Sequence, residues 1–457
     1  MNAKLAKKGA HRSGKIPVKL AQAIKLHEEG MLARAAIIYA SILKEDPLHF
    51  DALHCMGILL FQKNETKTSI EFINKALVIN PSYAPAHFNL GIALQKLNQQ
   101  DQAVVSFDQA LVLNPSYAEA HFKRGVALLE LKRLDEAITS FNQAIISKPN
   151  YQQAYFGLGN ALKALKKPIE AIDCFNHAVA LKPNDPENYF GLGNVYYGML
   201  TNAKIHSDPS LMAKIKSLAI LNYELALKYN TQKKQIAEFD LSVLNGAQSL
   251  VTAPAEYVEA LFDEYAAKFE SHLVQDLQYT APETLYQEIQ NFISSDLDIL
   301  DLGCGTGLMG KLLRPHAKKL IGLDLSTEML KHAKSKNMYD DLIHSELNIF
   351  LKSNHAYFDL IVATDVLIYV GELEETFLNI KKALKLGAHF CFTVEEGEGD
   401  NFHLGSTARF SHSMNYCLDQ AKKYGFTVAH IKKDILRFQD GTPVNGLFFC
   451  MKNNWTR

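Results

Sequence analysis

The sequence predicts a multidomain chain, an all-α solenoid followed by an α/β domain with a mainly parallel sheet. Three observations predict it. Pro47, Pro81, Pro115, Pro149 and Pro183 stand 34 residues apart every time. From residue 298 onward, strand-like and helix-like segments alternate, the pattern of a sheet covered by helices. At the start of that alternation lies ILDLGCGTGLMG, from Ile299 to Gly310. There an aliphatic run ends in an acid and is followed by glycines at alternate positions.

At 457 residues the chain exceeds one ordinary domain. Its composition is globular, and a net charge of −1 gives no global pull toward nucleic acid or membrane. Residues 1–15 are expected to be a basic flexible tail. Lys4, Lys7, Lys8, Arg12 and Lys15 could touch phosphates or be simply solvated. No run of 18 apolar residues suggests a membrane span, and the first 25 residues lack the apolar stretch of a secretory signal. The six cysteines contain no C-x-x-C pair, which argues against a disulfide framework and a zinc site. The expectation is a cytoplasmic protein without a metal.

Other positions keep step with the prolines. Gly57, Gly91, Gly125, Gly159 and Gly193 recur at the same interval, as do Ala103, Ala137 and Ala171, and Phe107, Phe141 and Phe175. This pattern resembles the tetratricopeptide repeat (TPR). Each unit of that family is two antiparallel helices. Small residues sit where helices cross closely, an aromatic fills the gap between repeats, and proline stops the second helix. About six units are expected over 16–230. The first, near Pro17–Pro47, is degenerate, with Ala23 in the glycine position. The last, starting near Pro186, carries a 14-residue excess near 198–212 that is expected to loop over one face. Asn89, Lys123, Asn160 and Asn194 are expected in the concave groove, either holding a peptide backbone or merely solvated. Ile58 and Glu119 stand where a carboxylate-gripping groove would want Asn and Lys, which disfavours a chaperone-tail adaptor. Residues 231–256 are expected to form a connector helix and linker.

In the second half, strands are expected at 298–302, 319–324, 341–344, 357–364 and 387–394. A final antiparallel pair near 426–438 and 445–451 is joined by DGTPVNG. Two cofactors compete for the glycine loop. A dinucleotide fingerprint would need its third glycine at 308, which is Leu308. The glycines are instead Gly303, Gly305 and Gly307, preceded by Asp301. A carboxylate aimed into the loop would repel a pyrophosphate and suit an ammonium group.

Asp301 through Gly307, with Cys304 between the glycines, resemble the first motif of the class I methyltransferases. The resemblance implies S-adenosylmethionine. Asp324 at the end of the second strand could accept ribose hydroxyls, and Leu325 and Met329 could pack on the adenine. Glu346 stands where the family often has Asp beside the adenine. Thr364 and Asp365 fall near the methyl-donor end. The structural alternative for both Asp301 and Asp324 is helix capping. YVEALFDEYAAKFESHLVQDLQYTAPETL (257–285), STARFSHSMNY and LRFQDGTPVNGLFF further resemble a bacterial family of methyltransferases with N-terminal TPRs. It implies an all-α TPR solenoid followed by an α/β class I (Rossmann-like, seven-stranded) methyltransferase domain over 257–455. Phe262, Tyr265 and Phe269 share one helix face. Such a helix could act as a lid, with Tyr265 or Tyr279 closing on the cofactor, or could simply dock on the sheet.

Methyl transfer from a sulfonium needs positioning more than acid–base work. Tyr369, Glu395, Glu396, Arg409 and His412 are candidates near the donor. His412 is the expected base and Arg409 the holder of an acceptor carboxylate or phosphate. A loop-ordering salt bridge between Arg409 and Glu396 is the alternative. The site after the fourth strand reads TDVLIYV, without the Pro-Pro-aromatic run of base-amino methylating enzymes, and no basic aromatic surface suits a nucleic acid. Three function classes follow: a methyltransferase whose repeats recruit a protein substrate or partner; a small-molecule O- or N-methyltransferase whose repeats serve localisation or assembly; and a scaffold with a sensing or vestigial pocket.

Overall fold

The computed structural model describes residues 16–200, 208–246, 250–266, 269, 279–290, 292–439 and 441–454. The expected basic tail, the core of the insertion in the last repeat and most of 267–278 lie outside the described residues. The chain divides into two compact units, one ending at Gln232 and one beginning at Lys233.

Among the described residues the first unit shows six helix pairs: α1 (Ile16–Glu28) with α2 (Leu32–Glu45), α3 (Phe50–Gln62) with α4 (Thr66–Ile79), α5 (Ala84–Lys96) with α6 (Gln100–Leu113), α7 (Ala118–Glu130) with α8 (Leu134–Ser147), α9 (Gln152–Ala164) with α10 (Pro168–Leu181), and α11 (Pro186–Met199) with α12 (Pro209–Lys228). The periodic glycines have a steric cause. A Cβ at Gly91 would stand 2.5 Å from the Phe107 ring, and one at Gly125 2.7 Å from Phe141. Phe141 also closes on Gly157 of the next pair, so one ring locks two repeats. Between the helices of each of the first five pairs the chain turns through a left-handed residue, Gly30, Asn64, Asn98, Lys132 and Lys166, and Asn230 does the same after α12. The part of the excess that lies among the described residues extends a helix. Asp208 caps α12 and the helix runs 20 residues, against 14 for its counterparts.

Of the groove candidates, Asn89 hydrogen-bonds His54 at 3.1 Å, and Asn194 accepts the Tyr223 hydroxyl at 2.8 Å. Both also tie one repeat helix to a neighbour. The Lys123 ammonium lies over the Phe122 ring. All four, with Asn160, are partly buried.

The second unit opens with α13 (Lys234–Asn245), α14 (Ala255–Tyr265) and α15 (Ala281–Ile289). Then β1 (Leu297–Leu302), α16 (Leu308–Leu313), β2 (Ala317–Asp324), α17 (Thr327–Ser335), β3 (Asp341–His344), α18 (Leu347–Lys352), β4 (Phe358–Ala363), α19 (Glu374–Ala383) and β5 (Leu384–Glu396) alternate. A short hairpin β6 (Phe402–Leu404) and β7 (Phe410–His412), then α20 (Met414–Lys423), β8 (Phe426–Gln439) and β9 (Thr442–Asn453) complete it. The sheet runs β3-β2-β1-β4-β5 in parallel. β9 is antiparallel to β5, and β8 pairs β9, which gives the seven expected strands.

Two further strands make the sheet nine-stranded, a departure from the expected seven. β7 pairs Glu395 and Glu396 of β5 in parallel. Because β9 occupies one edge of β5 there, β7 continues the edge that β4 leaves. Two apolar layers flank the sheet. One includes Phe358, Phe377, Phe390 and Phe392, the other Leu285, Ile299, Leu360 and Phe448.

The stretch expected as an inter-domain linker is part of this unit. Thr252 bridges Val370 in antiparallel fashion, Ala253 N–H donates to the Tyr369 carbonyl at 2.9 Å, and Phe239 of α13 packs on Tyr257.

Candidate active site

The tips of β1, β2, β3 and β4 open on one cavity of about 400 Å³. Parallel strands present their carboxyl ends on one side, and the crevice there is where such sheets take ligands. Gly303 and Gly305 from the loop after β1, and Asp324, Leu325 and Met329 after β2, line it. So do Glu346 after β3 and Thr364, Asp365 and Tyr369 after β4. The roof is α14, with Val258, Leu261, Phe262 and Tyr265, together with Phe269 and Tyr279. Arg409 from the β6–β7 hairpin and Arg437 from β8 close the far side.

The glycine loop is shaped from below. Gly303, Gly305 and Gly307 all have positive φ. A Cβ on Gly303 would collide with Val366 at 2.2 Å, whereas one on Gly305 would face Phe269 at 3.7 Å across the cavity. Asp324 Oδ2 accepts from Gly305 N–H and Oδ1 from Ser326 N–H, both at 2.8 Å. Burial pushes its pKa up, against these hydrogen bonds. With Leu325 N–H as a third donor, the carboxylate still has acceptor capacity for a ligand hydroxyl. Glu346 caps α18, accepting from Asn348 N–H at 2.9 Å.

Three expected cofactor residues do not reach the cavity. Asp301 is buried beneath the loop, where Tyr339 donates its hydroxyl to it at 2.6 Å. Burial raises its pKa to about 7. It shapes the loop from below instead of presenting a carboxylate to a ligand. Cys304 is buried, with its N–H given to the Leu323 carbonyl. Gly307 starts α16 and is covered by Tyr339.

The expected base is also displaced. His412 is wholly buried, and its Nε2 is 2.9 Å from the carbonyls of both Val370 and Gly371. Carbonyls only accept, so Nε2 carries the proton. Burial lowers the pKa to about 4. The imidazole staples β7 to the segment after β4 and is closed to a substrate.

Sequence reasoning missed Arg437. It is 1% exposed, grips both oxygens of Asp365 at 2.9 and 2.8 Å, and pairs with Glu395. Asp365 sits at φ 60, a costly conformation for a non-glycine residue. The available signal was an arginine flanked by Ile435, Leu436 and Phe438. Glu396 pairs with Lys433 and Arg409 with Gln439, so the salt bridge between Glu396 and Arg409 does not form. On the roof, Asp263 of α14 accepts from Ser326 Oγ and from Glu328 N–H, which pins the helix to the start of α17.

The residues fit a cofactor with polar and apolar parts. The Thr364 hydroxyl is buried without a partner at the cavity wall. The acids and the glycine cradle lie toward β1–β3, and the apolar roof lies above. No group of three or more metal-ligating side chains occurs among the described residues, nor any helix long and apolar enough to cross a membrane.

Comparison with known proteins places these features. A family profile described as a methyltransferase domain matches residues 300–390, and profiles described as tetratricopeptide repeats match 88–152 and 153–185. Nodulation protein S of Azorhizobium caulinodans is 29% identical over 98 residues, 21% of this chain and 47% of the relative. Malonyl-[acyl-carrier protein] O-methyltransferase of Legionella pneumophila is 28% identical over 143 residues, 30% of this chain and 49% of the relative. The chain thus spans about half the length of these curated relatives. A solved SAM-dependent methyltransferase from Methanosarcina mazei is 15% identical with a TM-score of 0.32, over 37% of this chain and 98% of that one.

Proposed function

We propose that this chain, a tetratricopeptide-repeat protein with a class I methyltransferase domain, is an S-adenosylmethionine-dependent methyltransferase whose repeats recruit a protein substrate or partner. One observation carries the first part: the cavity over the strand tips combines the glycine loop with an acid at the end of β2. When bound, S-adenosylmethionine supplies an electrophilic methyl group on a sulfonium. Asp324 would accept the ribose hydroxyls, Leu325, Met329 and Glu346 would bound the adenine, and Gly303 and Gly305 would let the backbone come close. Thr364 would satisfy its buried hydroxyl on the ligand. Phe262, Tyr265 and Phe269 would exclude water. Tyr369 and Arg409 would meet the acceptor.

The repeat groove, with Asn89, Lys123, Asn160 and Asn194, suits an extended peptide. A small-molecule acceptor is the second reading, favoured by a cavity roofed by α14 and Tyr279. Incubation of the full chain with a cell extract and S-adenosylmethionine labelled in the methyl group tests both. Label in protein that vanishes when residues 1–232 are removed supports recruitment. Label in the small-molecule fraction, indifferent to that removal, supports the second reading. No transfer contradicts both.

A further inference from the structure

The acceptor side of the cavity holds two cations of different standing. Arg437 is ion-paired with both Asp365 and Glu395. Arg409 makes no direct ion pair among the described residues, and its charge reaches Glu395 only at longer range. Its described partners are neutral: Nη1 donates to Gln439 Oε1 at 3.2 Å, and its guanidinium hydrogen-bonds the Tyr369 hydroxyl. Among the described residues no carboxylate lies within ion-pair distance of it.

The fold invests in placing this group. Arg409 follows Ala408, which is buried and held at φ 59, a left-handed conformation that costs an alanine free energy. The turn before it closes on two hydrogen bonds, Gly405 N–H to the Arg409 carbonyl at 2.8 Å and Ala408 N–H to the Gly405 carbonyl at 3.1 Å. β7 is then anchored to β5 and stapled through His412. A partly buried guanidinium without a direct ion pair gains from an anion that reaches it. Its planar fork matches a carboxylate in two parallel hydrogen bonds. The cavity that Arg409 lines also has apolar walls, among them Val258, Phe262, Ile368 and Val370.

We infer that Arg409 is the specificity-determining residue for the acceptor, and that the acceptor is a carboxylate borne on an apolar stem. This rests on the methyltransferase reading of the same cavity. The other ionisable groups on this side are committed. Asp365 is held by Arg437, and burial raises the pKa of both Tyr369 and Tyr279. The acceptor's anion is thus met by Arg409, the cation that stands outside the Arg437–Asp365–Glu395 network.

Calorimetric titration of the full chain tests this with S-adenosylhomocysteine present. The probes are hexanoate, its uncharged analogue hexanamide, and hexyl phosphate. Hexanoate is expected to bind at least about tenfold more tightly than hexanamide, one charge-assisted pair being worth about 1.5–3 kcal/mol. Arg409→Gln is expected to erase that difference and Arg409→Lys to keep part of it. Neither should change the affinity for S-adenosylhomocysteine, which also shows that the variants fold. Equal binding of hexanoate and hexanamide, no binding of hexanoate, tighter binding of hexyl phosphate, or full hexanoate affinity in Arg409→Gln would overturn the inference. Failure of the wild-type chain to bind S-adenosylhomocysteine would instead bring down the methyltransferase reading.

Discussion

At the level of single residues, burial governs the charges. Asp301 has its pKa raised from 3.8 to about 7, so the fold favours its protonated form. Between about pH 4 and 7 the unfolded chain gives up this proton while the folded chain keeps it. Asp301 therefore stabilises most below pH 4, and that contribution is lost as pH rises to 7, by up to roughly 4 kcal/mol. Asp301→Asn, which can still accept from Tyr339, is expected to flatten this fall when urea unfolding is followed across that range. An unchanged slope would show that the carboxyl is not held protonated. His412 works in the other direction. Its pKa is lowered from 6.5 to about 4, so stability present above 6.5 is lost as pH falls toward 4. The motif around Asp301 was legible in the sequence, but its depth was not. The partner, Tyr339, lies 38 residues away in the turn before β3. His412 was misread for the same reason: residue type shows that imidazole can titrate, and only packing shows that it cannot be reached.

Among elements, the repeats were the most legible, because a 34-residue period repeats one packing problem. The glycine exists because a ring must sit against it. Phe141→Ala is expected to cost the first unit about 3–5 kcal/mol by opening a cavity between two repeats. Gly125→Ala is expected to cost about 1–3 kcal/mol by overpacking the same ring. Denaturant unfolding of both variants checks the pair, and a loss below 1 kcal/mol for Phe141→Ala would contradict the locking role. The long alternation of β1–β5 and the β8–β9 hairpin were also legible. The β6–β7 hairpin was not, since strands of three residues carry too few positions for a period to show. That hairpin carries Arg409, so the residue was legible as an acceptor holder but the strand that positions it was not. Likewise Thr252 and Ala253 looked like linker, because one β-bridge leaves no pattern in sequence.

For the whole molecule, the chain joins a repeat array to a domain whose family profile is a methyltransferase. A ligand that binds only the folded second unit stabilises that unit by mass action. Saturating S-adenosylmethionine is therefore expected to raise the unfolding temperature of the second unit and leave the first unchanged, as followed by differential scanning calorimetry. The most direct measurement is isothermal titration of S-adenosylmethionine into the full chain and into Asp324→Ala. The account predicts one cofactor per chain, bound with micromolar affinity or better. Asp324→Ala should weaken this at least about tenfold, the loss expected for hydrogen bonds to a charged group. No binding to the wild-type chain, or equal binding to Asp324→Ala, would contradict the assignment of the cavity over β1–β4 as the cofactor site.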